Sequence, residues 1–371
     1  LIKVLHIVQG SNYSSGQTNA YSIARLADQS SIQIYLASLP YSLLHNSSNK
    51  HKFKFYPIIL PKLLRQKHLK KVSLLIKEIQ PDIIHSHDGT SGFYSRIYKK
   101  HNPGIKTIHS FHNFNLPYYE SAILKNTAKT IQQYLIQFTD KFIFSCEQDS
   151  LQAFELKSAK PGKSAIIPKG IDISLYANAK KNHGLLYVLG LDDKNFLAGT
   201  VTDFEVSKNL KILIHAAYFV KQKFPFIKFL IVGDGKRMKY YSNYIRESGL
   251  TNTVFLTGAV EKIQDYYSLF DVYVNTSTRP GIPYTILEAM ASRNAIVSSH
   301  LQSYETIIHD NENALTFDPG NVDDLFSKLQ ILYENPEMRQ KLSQNALIDA
   351  TQFDEYEMVK KTENIYREVV G

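Results

Sequence analysis

The 371-residue chain contains one cysteine, Cys146. No intrachain disulfide framework and no cysteine-based metal site can therefore form, and a reducing compartment is the expectation. Cys146 ends the run Phe142-Ile143-Phe144-Ser145-Cys146, where a small buried thiol fits best. No apolar stretch approaches the roughly 18 to 20 residues that span a bilayer. Leu1 to Val8 is interrupted by Lys3 and His6, which reads as a first strand and not as a signal peptide. Internal repeats and low-complexity tracts are absent. No Asp-x-Asp metal motif follows a strand; Asp192-Asp193 and Asp323-Asp324 read as loop or helix-cap acids. The run Leu230-Ile231-Val232-Gly233-Asp234-Gly235 has Met238 where a dinucleotide fingerprint needs its third glycine, which argues against an NAD site.

Acidic residues are also missing from Lys50 to Lys77, which holds Lys50, Lys52, Lys54, Lys62, Arg65, Lys67, Lys70, Lys71 and Lys77 among Phe53, Phe55, Tyr56, Ile58, Ile59, Leu60, Leu63, Leu64 and Leu69. That mixture suits an anionic membrane surface and carries much of the net charge of +9. Nucleic acid is not the expected partner, because prolines interrupt the run and no recognition module surrounds it. The expectation is a cytoplasmic protein, peripheral on the inner face of the cell membrane.

Hydrophobic residues at 43% and charged residues at 21% are ordinary for a globular chain, and the length suits two domains of about 150 to 200 residues. Short Val- and Ile-rich runs alternate with helical segments, the pattern of parallel strands joined by crossover helices. Strands are predicted at Lys3 to Val8, Ile32 to Ala37, Ile83 to Ser86, Lys106 to His109, Lys141 to Ser145 and Ser164 to Ile167. The pattern restarts at Leu197 to Val201, Lys228 to Val232, Thr253 to Leu256, Val272 to Asn275 and Ala295 to Ser298. The fold class is α/β, with two doubly wound sheets. A hinge is expected at Pro168-Lys169-Gly170-Ile171-Asp172, dividing a first domain (1–170) from a second (171–353). Residues 354–371 form a charged helix.

In open parallel sheets, ligands sit beyond the carboxyl ends of the strands, near unpaired helix N–H groups. Gly10 to Thr18 is one such Gly/Ser turn, with a helix expected from Asn19 to Leu26. A stronger signal is Ser277-Thr278-Arg279-Pro280-Gly281-Ile282-Pro283-Tyr284-Thr285-Ile286-Leu287-Glu288-Ala289-Met290-Ala291. There a glycine turn and Pro283 lead into a helix end that offers donors to an anion. Glu288 lies among apolar residues, and a buried carboxyl needs hydrogen-bonding partners such as ribose hydroxyls.

This segment resembles the donor signature of glycosyltransferase family 4, and the likeness extends in order over nearly the whole chain. It takes in Pro81-Asp82-Ile83-Ile84-His85-Ser86-His87, Thr107-Ile108-His109, the hinge sequence, Lys208-Asn209, Gly233-Asp234-Gly235 and Thr257-Gly258. The resemblance implies the GT-B architecture, two Rossmann-like domains facing across a cleft, with the C-terminal helix crossing back to the first. It implies a retaining, metal-independent transferase that needs no cofactor and takes a nucleoside-diphosphate sugar as donor. On matching positions, Lys208 would hold the diphosphate, Glu288 the ribose, and backbone near Gly258 and Val260 the base. The turn at Arg279, Gly281, Ile282 and Pro283 would line the donor site, His109 would face the sugar, and Gly16 would approach the phosphates. His87 and Asp88 are placed for the acceptor.

The chain departs from the family at four places. Pro280 stands eight before Glu288, where a glutamate is usual; Asp203 stands where an arginine is usual; Ser15-Gly16 replaces paired glycines; and Lys169 replaces an asparagine. Arg279 or Lys169 could supply the cation lost at Asp203, since arginine binds two phosphate oxygens at once and Asp203 could orient it. The function expected is sugar transfer to a carbohydrate, lipid-linked or protein acceptor in surface polysaccharide, lipopolysaccharide or glycolipid synthesis. The alternatives are a sugar-nucleotide-binding relative that has lost catalysis and serves as a scaffold, or a sugar-nucleotide epimerase on the same fold.

Overall fold

The computed structural model describes the chain except for residues 11–13, 52, 62–64, 115, 120 and 280, and except for the side chains of 49–51. Pro280 and several residues of the basic run thus lie outside the described residues. The chain divides into two compact units, residues 1–170 with 355–371, and residues 171–354.

The first unit is built on β1 (Ile2–Val8), β2 (Ile32–Ser38), β3 (Lys54–Pro57), β4 (Ile83–Ser86), β5 (Lys106–Phe111), β6 (Lys141–Phe144) and β7 (Ser164–Ile166). They pair in parallel in the order β3-β2-β1-β4-β5-β6-β7. The second unit repeats the plan with β8 (Phe196–Val201), β9 (Ile227–Val232), β10 (Val254–Leu256), β11 (Val272–Asn275), β12 (Ala295–Ser299) and β13 (Leu315–Phe317). Its order is β10-β9-β8-β11-β12-β13, again all parallel. Both units are Rossmann-like α/β domains, and each reverses its strand order once, at β1/β4 and at β8/β11.

Two strands escape the sequence pattern, and both are sheet edges. β3 is Lys54-Phe55-Tyr56-Pro57, half exposed, with a lysine and a proline that an edge tolerates. β13 is three residues long with its middle residue half-buried, too short to show alternation. The first helix begins at Ser15, earlier than periodicity indicates, so Gly16 lies in its first turn.

Alternation along the strands sends Leu5, Ile7 and Ile84 to one face of the first sheet, under Tyr94 and Tyr98 of the helix Gly89–His101 and Val72 and Ile76 of the helix Gln66–Ile79. Val4, Ile83 and Ile108 face the other side, under Ile23 of the helix Ser15–Leu26 and Met358, Val359 and Tyr366 of the helix Glu355–Val370. This packing corrects one argument for a membrane surface. Ile58, Leu60, Tyr56 and Leu69 are drawn into the core of the unit, while Arg65, Lys67, Lys70, Lys71 and Lys77 stay exposed with Ile59 and Leu74. Among the described residues, the apolar half of the interleaving is mostly packed in or against the core.

The C-terminal helix is bound to the first helix by polar contacts. Ser22 Oγ donates to Glu355 Oε2 at 2.8 Å, Arg25 pairs with the same carboxylate, and Asp28 N donates to Glu363 Oε1 at 2.7 Å. Glu355 is buried, and removing one partner of a buried pair strands the other. Glu355→Ala is expected to cost the first unit about 3 kcal/mol, at the low end for a buried pair because Arg25 keeps some contact with water. In urea, the transition of the first unit should move to lower denaturant while that of residues 171–354 stays in place; a shift of the second transition would contradict the assignment.

Candidate active site

In the second unit, the loops that follow β8 and β11 meet at the point where strand order reverses. Thr276 Oγ1 donates to the Lys208 carbonyl at 2.7 Å, Thr278 N to the Ser207 carbonyl at 2.9 Å, and Ser277 Oγ to the same carbonyl at 3.3 Å. These bonds fix the backbone of Lys208 against the turn that carries Arg279. Ser299 Oγ at the end of β12 donates to the Ser277 carbonyl at 2.6 Å, and Tyr304 Oη to the Arg279 carbonyl at 3.4 Å. Gly281 has φ of 98°, which only glycine adopts without strain, and its N–H donates to Ser303 Oγ at 3.1 Å. Ile282 is buried, and Pro283 caps the helix Tyr284–Ala291 with extended backbone.

The neighbouring loop after β9 is pressed against the loop after β8. A Cβ on Gly233 would lie 1.9 Å from the Thr202 carbonyl oxygen. Gly233 N donates to the Gly258 carbonyl at 3.1 Å, which brings the turn of Gly258 and Val260 to the same edge.

Glu288 is buried one turn inside its helix. Its carboxylate accepts from Tyr267 Oη at 2.8 Å and also from Tyr176. The two tyrosine rings meet edge to face at 5.7 Å. Burial raises the Glu288 pKa, and the tyrosine hydroxyls oppose that rise without cancelling it. The partners missing from the sequence argument are thus two tyrosines of the same unit. Lys208 is paired with Asp203 at 3.7 Å, both partly exposed. Asp203 therefore faces Lys208, and the expected pairing of Asp203 with Arg279 does not occur; Arg279 stands exposed in its loop.

At the carboxyl edge of the first unit, Gly16 is packed so closely that a Cβ would lie 3.0 Å from His87 Cβ. Asp88 caps the helix Gly89–His101, accepting from Thr90 N and Ser91 N at 2.9 Å and from Gln9 N at 2.6 Å. Its carboxylate serves the backbone. Lys169 is buried and donates to Ser15 Oγ at 3.2 Å and Asn113 Oδ1 at 3.4 Å, which sets an ammonium beside the first turn of the helix Ser15–Leu26.

His109 is not at this edge. It is buried within β5, with Nδ1 2.9 Å from Ser86 Oγ and its ring against Gly92, where a Cβ would lie 2.5 Å from His109 Cε1. The imidazole at the end of β5 is His112, three residues later, near the Lys169 charge. Sequence reasoning missed it, although the spacing His109-Ser110-Phe111-His112 sends these two rings to opposite faces of a strand. His6 and His85 were missed as well; both sit wholly inside the unit with His87. Cys146 is buried, and burial pushes its thiol up to about 11, which leaves it inert.

The profile of the family Glycosyltransferase Family 4 matches residues 17–175, and that of Glycosyl transferases group 1 matches residues 187–348. The chain belongs to glycosyltransferase family 4. As a member it transfers a sugar from a nucleoside-diphosphate-sugar donor. Among curated relatives, it is 24% identical over 304 residues to the UDP-Gal:alpha-D-GlcNAc-diphosphoundecaprenol alpha-1,3-galactosyltransferase of Escherichia coli, covering 80% of this chain and 78% of that one. It is 22% identical over 311 residues to the alpha-monoglucosyldiacylglycerol synthase of Acholeplasma laidlawii, covering 80% and 77%. Among solved structures, Anabaena Alr3699/HepE in complex with UDP and glucose superposes with a TM-score of 0.86 at 20% identity, covering 99% of this chain and 100% of that one. That likeness extends the shared fold to the whole chain.

For this family 4 enzyme, the raised pKa of Glu288 gives a signed prediction. The native state holds the proton more tightly than the unfolded chain, so the carboxyl lowers stability increasingly as pH rises from the unfolded value of 4.5 through the raised folded one. Glu288→Gln removes that penalty. Urea melts of the variant against wild type should show the difference moving in favour of glutamine from about pH 4 to pH 7. Movement in favour of wild type would mean that the tyrosine hydrogen bonds outweigh burial.

Proposed function

We propose that the enzyme binds its donor at the carboxyl edge of the second unit and passes the sugar, with retention and without a metal, to a lipid-linked or other glycan acceptor. The products would enter surface polysaccharide, lipopolysaccharide or glycolipid synthesis. One observation carries this reading: the loops bearing Lys208 and Arg279 are knitted together at the order reversal, directly before the helix that buries Glu288. Ligands of open α/β sheets bind at such a reversal.

In this reading the Lys208 ammonium and the N–H groups at the start of the helix Tyr284–Ala291 take the diphosphate, and the Glu288 carboxylate takes the ribose hydroxyls. Backbone at Gly258 and Val260 takes the base, and the exposed Arg279 guanidinium stands ready for a phosphate oxygen. A fixed cation and a helix end stabilise the charge that develops on the leaving diphosphate, which is the work a metal would otherwise do. A lipid-linked acceptor is favoured by the two relatives above, one acting on a diphosphoundecaprenol-linked sugar and one named for a monoglucosyldiacylglycerol.

The test is a thermal-shift panel of nucleoside diphosphates and their sugar conjugates, followed by transfer assays with the best donor. Lys208→Ala is expected to weaken nucleotide binding about 10- to 100-fold, the equivalent of one charge-assisted bond. Chelation should leave turnover unchanged, and the product should keep the donor's anomeric configuration by NMR. Unaltered nucleotide affinity in Lys208→Ala would displace the site, and wild-type protein that binds nucleotide but never turns over would be the scaffold.

Attachment to an anionic membrane now rests on the exposed cations of the helix Gln66–Ile79, where Lys67, Lys71 and Arg65 together depress the His68 pKa after desolvation does. Each cation near an anionic surface contributes about 1 kcal/mol. Changing Lys67, Lys70 and Lys71 to Glu should release the protein from anionic vesicles in sedimentation, and unchanged binding would refute this surface.

A further inference from the structure

The first unit contains a chain of rings, buried except at its His112 end, that sugar transfer does not use. It runs from Ser110 through His85, Tyr366, His6 and His87 to His112. His85 Nε2 is 2.7 Å from Ser110 Oγ, and His85 Nδ1 is 2.8 Å from Tyr366 Oη. Tyr366 Oη is 3.1 Å from His6 Nε2, His6 Nδ1 is 2.8 Å from His87 Nε2, and His87 Nδ1 is 3.0 Å from His112 Nε2. His6, His85 and Ser110 alternate onto one sheet face, His87 and His112 follow directly after β4 and β5, and Tyr366 comes from the C-terminal helix.

A neutral imidazole carries one N–H and one bare nitrogen. Both nitrogens of His6, His85 and His87 are engaged, so only two proton arrangements let every contact be a hydrogen bond while Tyr366 donates its own O–H within the chain. In one, every ring is protonated on Nε2 and His112 is left with a bare Nδ1. In the other, every ring is protonated on Nδ1, and His112 presents an N–H. Burial holds all four rings neutral: it lowers the pKa of His6 and His112 to about 3 and those of His85 and His87 well below the ordinary value. Lys169 decides between the two arrangements. Lys169 and His112 line the same small cavity, the lysine charge acts on the His112 end, and N–H dipoles that point away from a cation are favoured over those that point toward it.

We propose that Lys169 and Tyr366 lock this chain in the all-Nε2–H arrangement, making His112 Nδ1 a permanent hydrogen-bond acceptor for the acceptor hydroxyl at the carboxyl end of β5. The role at His112 rests on the transferase reading; the lock does not. Tyr366 and Lys169 are positioning residues. The lock moves no net charge: the hydroxyl keeps its proton while His112 orients it. A metal would need a different geometry. The ligand atoms of His6, His85 and His87 lie within 4.8 Å of one another. However, the 2.8 Å between His6 Nδ1 and His87 Nε2 is a hydrogen bond, shorter than the about 3.3 Å separating two nitrogens held tetrahedrally on zinc at about 2.0 Å.

The test uses the full chain with ¹⁵N-labelled histidine and long-range ¹H–¹⁵N correlation, which reads the tautomer of each ring without donor or acceptor. Wild type should show His6, His85, His87 and His112 all neutral and all protonated on Nε2. Lys169→Met should shift His112 and the rings beyond it toward Nδ1–H, and Tyr366→Phe should release His6 and His85 from a single tautomer. Should Tyr366→Phe fail to fold, Lys169→Met carries the same test. Mixed tautomers in wild type, spectra that neither variant alters, or one equivalent of zinc in the purified protein would each overturn the lock. In transfer assays, Tyr366→Phe should raise the acceptor KM about 3- to 10-fold, the loss of one neutral hydrogen bond, with nucleotide affinity unchanged. An unchanged acceptor KM alongside released tautomers would overturn the role of His112 while leaving the transferase reading intact.

Discussion

Parallel pairing sends the carboxyl end of every strand in a sheet to the same edge, and both units of this chain inherit their chemistry from that constraint. Loops far apart in sequence are forced together there, and ligands of open α/β sheets bind at the point where strand order reverses. In the second unit these are the loops after β8 and β11, bonded through Thr276, Ser277 and Thr278. In the first, the ends of β1, β4 and β5 bring His6, His87 and His112 to one line.

The same edge is where each unit tolerates buried polarity. Toward the amino ends of the strands, the first sheet is apolar on the face covered by its first and last helices, with Val4, Ile83 and Ile108. Two residues further along each strand, the same face carries His6, His85 and Ser110. Such groups are costly unless paired, and the pairing is supplied by neighbours on the face and by Tyr366. Glu288 is treated in the same way by Tyr267 and Tyr176. Polar groups are retained in the interior and held in one orientation.

The departures from the family pattern acquire a physical setting. Asp203 faces Lys208 across 3.7 Å at the surface, a pair that water screens strongly and that a diphosphate could outcompete for the ammonium. Lys169 is buried beside Ser15 and Asn113, where a neutral asparagine would leave the end of the histidine chain without a field.

The sequence by itself determined the α/β class, the interior strands, the restart of the pattern in a second domain and the helix that carries Glu288. These depend on local periodicity and on turn residues, which are written within a few positions of one another. The edge strands β3 and β13 were illegible because an edge needs neither length nor continuous apolarity. Tertiary structure alone decided that the described apolar residues among the lysines of 50–77 are mostly core, and that Glu288 is held by tyrosines 21 and 112 positions away in sequence. It also decided that His112, and not His109, stands at the strand's end. A strand's periodicity gives which residues share a face; which face is covered, and by what, depends on helices packed from elsewhere in the chain.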